Sequence, residues 1–93
     1  MKGNGKMKIK NGFLLRQVGE QNIVVAVGEE SRDFNGIIRL NSTGKFLWEK
    51  LQNEISESAL VSAMLLEYDI DEATAKNDTA DFITALKEAN LLE

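Results

Sequence analysis

The chain has 93 residues, 43% of them hydrophobic and 28% charged, which describes one ordinary globular domain rather than a disordered segment. It contains neither cysteine nor histidine, which removes disulfides, thiolate metal sites, Ser/His and Cys/His nucleophilic pairs and the commonest general base at neutral pH. The net charge is −4, yet Met1 to Arg16 holds Lys2, Lys6, Lys8, Lys10 and Arg16 with no acid, so the remainder carries −9.

Residues 1–12 read as a basic flexible tail ahead of a folded domain at 13–93, a solvated end that could also touch a polyanion or an acidic partner. No apolar run approaches the ~18 residues of a membrane span, and Met1 to Lys10 lacks the apolar stretch of a secretion signal. A cytoplasmic protein without a membrane partner is expected. Phe13 to Val18 is short and apolar-rich, Asn22 to Val27 is dominated by β-branched residues, and Gly19-Glu20-Gln21-Asn22 supplies turn chemistry, so the two runs predict a hairpin. The polar stretch Glu29 to Asn35 leads through Gly36 to Ile37-Ile38-Arg39-Leu40, a brief third strand.

From Asn41 the period becomes helical. Asn41 or Ser42 can cap a first helix with Phe46, Leu47, Trp48, Leu51 and Ile55 on its apolar stripe. Ser56 can cap a second, carrying Leu60, Val61, Met64, Leu65 and Tyr68, and the single step from Ile55 to Ser56 predicts a tight corner. Asp71 caps a third, whose stripe is Ala75, Thr79, Phe82, Ile83 and Leu86. Asn90 falls at the left-handed stop, leaving Leu91 and Leu92 to fold back onto the core. The fold class is α+β: three short antiparallel strands followed by three helices, winged helix-turn-helix-like in layout.

A sheet of three short strands has two edges, and an open edge offers backbone groups that an extended peptide can complete. The same edge could be covered by the basic tail or pair with a second copy in a homodimer. Asp78 and Asp81, three residues apart, share one flank of the third helix and would suit a cationic ligand, although a solvated helix face is the commoner use of such a pattern. Gly3-Asn4-Gly5 and the other glycines lack the spacing of a phosphate loop. Trp48 and Tyr68 lie on or beside apolar stripes and read as core or rim residues. A winged-helix DNA-binding regulator is the alternative reading, but Asp71 to Glu93 carries six acids against Lys76 and Lys87, the wrong sign for phosphate. No nucleic-acid partner, catalytic residue, metal or cofactor is expected.

Gly36-Ile37-Ile38-Arg39-Leu40-Asn41-Ser42-Thr43-Gly44, followed by Phe46-Leu47-Trp48-Glu49-Lys50-Leu51, resembles the PqqD-like family, named for the protein of pyrroloquinoline quinone biosynthesis. There a strand ending in Leu-Asn runs through Thr-Gly into a helix bearing Ile/Leu-Trp. Glu67-Tyr68-Asp69-Ile70-Asp71 is similar to the family's Tyr-Asp-Val-Asp link, and Asp78, Phe82, Ile83, Leu86, Leu91 and Leu92 keep the spacing of its last helix. The resemblance covers roughly Phe13 to Leu92, with Asn90 where the family commonly has Gly.

The resemblance implies a non-catalytic recognition element for ribosomally made, post-translationally modified peptides. Such a protein holds the leader of a precursor peptide and presents its core to a modifying enzyme, often a radical S-adenosylmethionine enzyme. It further implies that the leader pairs with the third strand, at Ile37, Ile38, Arg39 and Leu40. The leader would then lie beside the third helix, at Asn77, Asp78, Asp81, Phe82 and Ala85. Apolar leader side chains would meet Phe82 and Ala85, and Asp78 and Asp81 would select Lys or Arg. The precursor and the product cannot be read from these residues.

Overall fold

The computed structural model describes residues 5–28 and 36–93. The polar stretch Glu29 to Asn35, Lys2 and the start of Gly3-Asn4-Gly5 lie outside the described residues. Three strands, β1 (Phe13–Val18), β2 (Gln21–Ala26) and β3 (Ile38–Leu40), precede three helices, α1 (Ser42–Lys50), α2 (Glu57–Glu67) and α3 (Glu72–Glu88). The sheet order is β1-β2-β3, antiparallel throughout, so β1 and β3 are its edges.

Local chemistry accounts for most boundaries. The β1–β2 hairpin turns on Gly19-Glu20, and Gly19 takes φ 62°, a left-handed conformation that suits glycine at the first position of a two-residue hairpin loop. Asn41 Oδ1 accepts from the Gly44 amide at 2.7 Å, Ser56 Oγ from Ala59 at 3.2 Å, and Asp71 Oδ1 from Thr74 at 2.8 Å. Each bond satisfies an amide that the first helical turn leaves open. At the far end of α3, Asn90 adopts φ 62° while its amide donates to the Lys87 carbonyl and the Leu91 amide to the Leu86 carbonyl. This paired arrangement is the Schellman stop. It turns Leu91 back into the core, where it is fully buried.

One sheet face packs on the helices. Phe13, Val24 and Leu40 are buried there with Leu47, Trp48, Leu51, Leu60, Met64, Ile83 and Leu86, so Trp48 is a core residue. Tyr68 is half-buried and meets Phe46 edge to face, with ring centroids 5.5 Å apart.

Three expectations are corrected. Ile55 does not continue the α1 stripe: α1 ends at Lys50 with Leu51 as its cap, and residues 51–56 form the corner to α2. The Ile55 amide and carbonyl are taken instead by Met7, at 3.0 and 2.8 Å. Leu65 lies outside the core at 38% exposure, because α2 buries only the line of Leu60, Val61 and Met64. The packed domain also begins before Phe13. Ile9 is 4% exposed in the core, its amide donates to the Leu51 carbonyl, and Lys10 bonds to Leu91, so the boundary at Gly12 falls inside the folded unit.

Candidate functional site

β3 is three residues long, pairs on one side with β2 through Asn22–Leu40, Ile23–Arg39 and Val24–Ile38, and has no strand on its other side among the described residues. Alternation sets its side chains. Leu40 is buried in the core and Ile38 half-buried on the same face, while Arg39 points out through the opposite face and is exposed. Ile37, just before the strand, is 63% exposed. What β3 offers a partner is therefore chiefly backbone.

Leu40 runs directly into Asn41, the cap of α1, and Asn41 forms one rim of an open groove of about 310 Å³. The α1 side of the groove is Asn41, Thr43, Gly44 and Leu47; the α3 side is Asp78, Asp81 and Phe82. Asp78, Asp81 and Phe82 are spaced i, i+3, i+4, so one turn of α3 delivers all three to the same flank. Gly44 sets how near the helices approach. A β-carbon there would stand 3.2 Å from Asn41 Oδ1, 3.4 Å from Leu40 Cβ and 3.4 Å from Phe82 Cε1.

The groove is electrostatically negative. The N-terminus of α1 brings the equivalent of about half a positive charge. Asp78 and Asp81 bring two full negative charges, and neither is paired: the ion pair among the described residues is Lys76–Glu72, 3.2 Å, further toward the start of α3. A cation entering the groove gains an attraction that no cation of the described structure already satisfies.

The nine residues expected at the site divide accordingly. Asp78, Asp81 and Phe82 line the groove; Ile38, Arg39 and Leu40 form the strand that leads into it, with Ile37 just before it; Asn77 and Ala85 are exposed on α3 but do not line it. Asn41, Thr43, Gly44 and Leu47 were legible only as cap, motif and stripe, not as wall. The available signal was Gly44 itself, since glycine inside a helix costs about 1 kcal/mol relative to Ala and calls for a packing reason.

Among the described residues, the titratable group held clearly away from its ordinary range is Asp71, lowered by its hydrogen bonds to Thr74 at the start of α3 and outside the groove. The described residues contain no cluster of three metal-ligating side chains and no helix long and apolar enough to cross a membrane.

The family model described as coenzyme PQQ synthesis protein D (PqqD) matches residues 23–92. No curated protein sequence matches the chain. Among solved structures, TbiB1 in complex with the TbiA(beta) leader peptide superposes with a TM-score of 0.72 at 23% identity, covering 92% of this chain and 94% of that one. Lasso peptide synthetase B1 complexed with the leader peptide gives 0.72 at 18% identity, covering 94% and 96%. At these identities the likeness establishes the shared fold: three antiparallel strands followed by three helices.

Proposed function

The chain belongs to the PqqD family, and on that premise we propose that it is a non-catalytic binding protein for the leader of a ribosomally made precursor peptide. The leader adds as a strand to the open edge of β3 and continues into the groove between α1 and α3. The observation that carries this reading is the continuity of the two features: β3, whose outer edge has no strand among the described residues, runs from Leu40 into Asn41, and Asn41 is already the rim of the groove.

Main-chain pairing along Ile37 to Leu40 gives affinity that tolerates many leader sequences. Selection falls to the groove, where Phe82 and Leu47 receive an apolar side chain and Asp78 and Asp81 favour Lys or Arg. Two proteins of the same fold have been solved holding leader peptides, which supports carrying that ligand class to this chain. The bound peptide is presented to a separate modifying enzyme, of which a radical S-adenosylmethionine enzyme is the class we favour.

A DNA-binding role fits poorly, because the α3 flank that would face phosphate carries Asp78 and Asp81. The deciding experiment is an amide-shift titration of isotopically labelled protein with the leader alone and with the full precursor. Saturable shifts at 36–41 and 77–82, reproduced by the leader alone, support strand addition. Shifts confined to the β1 edge, or none at all with either peptide, would overturn it.

A further inference from the structure

We propose that the outer face of the sheet, turned away from the helices, is a second docking surface for a protein partner whose apolar patch is bordered by carboxylates. A solvated antiparallel sheet normally alternates apolar residues inward with polar residues outward. β1 and β2 depart from that pattern. Phe13 and Val24 point inward and are buried, yet the outward positions are Leu14, Arg16 and Val18 on β1 and Gln21, Ile23 and Val25 on β2, so two apolar residues on each strand face outward. Leu14 is 45% exposed and Val18 is 60% exposed.

The registers arrange these residues in rows. Leu14 stands opposite Val25, an apolar pair, and the neighbouring row is Arg16–Ile23–Arg39, one guanidinium on each edge strand with an isoleucine between them. Neither arginine forms an ion pair within the described structure, where the ion pair is Lys76–Glu72. An apolar centre flanked by two guanidiniums that have no ion-pair partner among the described residues is the composition of a protein-binding core, in which arginine is enriched and finds carboxylates across the interface.

The same chemistry argues for one occupant. A second copy meeting this face about a two-fold axis would bring arginines toward arginines, which repel. A nucleic acid would want more than two cations and aromatic stacking, and the face carries no aromatic residue. An acidic, partly apolar protein surface satisfies both features. Because the groove between α1 and α3 lies on the other side of the sheet, both surfaces can be occupied together, with β3 shared between them.

The choice of partner to test rests on the leader-binding reading: the probe is the purified peptide-modifying enzyme encoded with this chain. Wild type, Leu14→Ser and Arg16→Glu, each checked for an intact amide spectrum, are titrated with that enzyme and separately with leader peptide. The expected result is at least tenfold weaker enzyme binding for both variants, unchanged leader affinity, and enzyme binding by wild type that weakens with salt. Equal enzyme binding by both folded variants, or no binding by wild type, overturns the surface without touching the leader reading. Loss of leader binding by wild type instead strikes the leader reading alone. Saturable shifts of the outer-face amides by a DNA duplex, or by raising the protein's own concentration, also overturn the assignment by naming a different occupant.

Discussion

Gly44 on α1 faces Phe82 on α3 so closely that a β-carbon at Gly44 would meet the Phe82 ring at 3.4 Å and the capping oxygen of Asn41 at 3.2 Å. The width of the groove is set at this contact. Gly44→Ala gains about 1 kcal/mol of helix propensity and loses a comparable amount to crowding, so stability in urea should change by less than about 1 kcal/mol. Gly44→Val should cost about 1–3 kcal/mol through overpacking and should weaken leader binding by narrowing the groove. Equilibrium unfolding and a peptide titration on the same samples separate the two effects.

Asp78 and Asp81 are exposed and have no ion-pair partner among the described residues, so their replacement should leave the melting temperature nearly unchanged while altering ligand choice. The double change Asp78→Lys, Asp81→Lys is expected to lower affinity for a leader carrying Lys or Arg at least tenfold at low salt. The loss should shrink as salt rises. Unchanged affinity for such a leader would remove these residues from the recognition site.

Ile9 is 4% exposed and holds the N-terminal segment between the α1–α2 corner and the C-terminal residues. Ile9→Ala should therefore destabilise the whole domain by about 2–4 kcal/mol, as a core truncation does. A change in Lys6, exposed in the same segment, should have almost no effect. Denaturant midpoints of the two variants test the contrast directly.

Thr79 is completely buried on α3 and its hydroxyl has no hydrogen-bond partner among the described residues. Thr79→Val keeps the branched shape and removes the unsatisfied group, and should stabilise by about 1 kcal/mol. A loss of stability would mean that the hydroxyl finds a partner in solution.

Asp71 provides the pH dependence. Its hydrogen bonds to Thr74 lower its pKa below the ordinary 3.8, so the folded state favours the ionised carboxyl. Its contribution is fully present above the unfolded-state value and is lost as pH falls through the folded one. Asp71→Asn keeps a capping oxygen without that titration, so its stability profile should be flatter than wild type below about pH 4. The difference between the two acid-unfolding curves measures the effect.

Much of the fold was legible because it is specified locally. Asn41, Ser56 and Asp71 mark helix starts since a short polar side chain can reach an amide three residues on, and Asn90 marks the stop since asparagine tolerates the left-handed conformation. The Asp78 flank of α3 was legible for the same reason, since Asp78, Asp81 and Phe82 lie within one turn of one helix, whereas the Leu-Asn-Ser-Thr-Gly run was legible as a cap and a motif and not as the facing wall. The limit appears where a residue's role depends on something distant in the chain. Nothing near Ile55 announces that Met7 will take its backbone bonds, nothing near Ile9 that it will bond Leu51 and bridge to Leu92, and nothing in α2 that Leu65 falls on the open side. The sequence by itself determined the element order, the caps and the acidic flank of α3, because hydrogen-bonding reach and side-chain periodicity act over three or four residues. Only the tertiary structure decided that Gly44 and Phe82 meet to form a groove, and that the apolar side of β1 left uncovered is the one bearing Leu14. Those outcomes depend on which faces pack together, a balance of burial over the whole chain rather than a property of any segment.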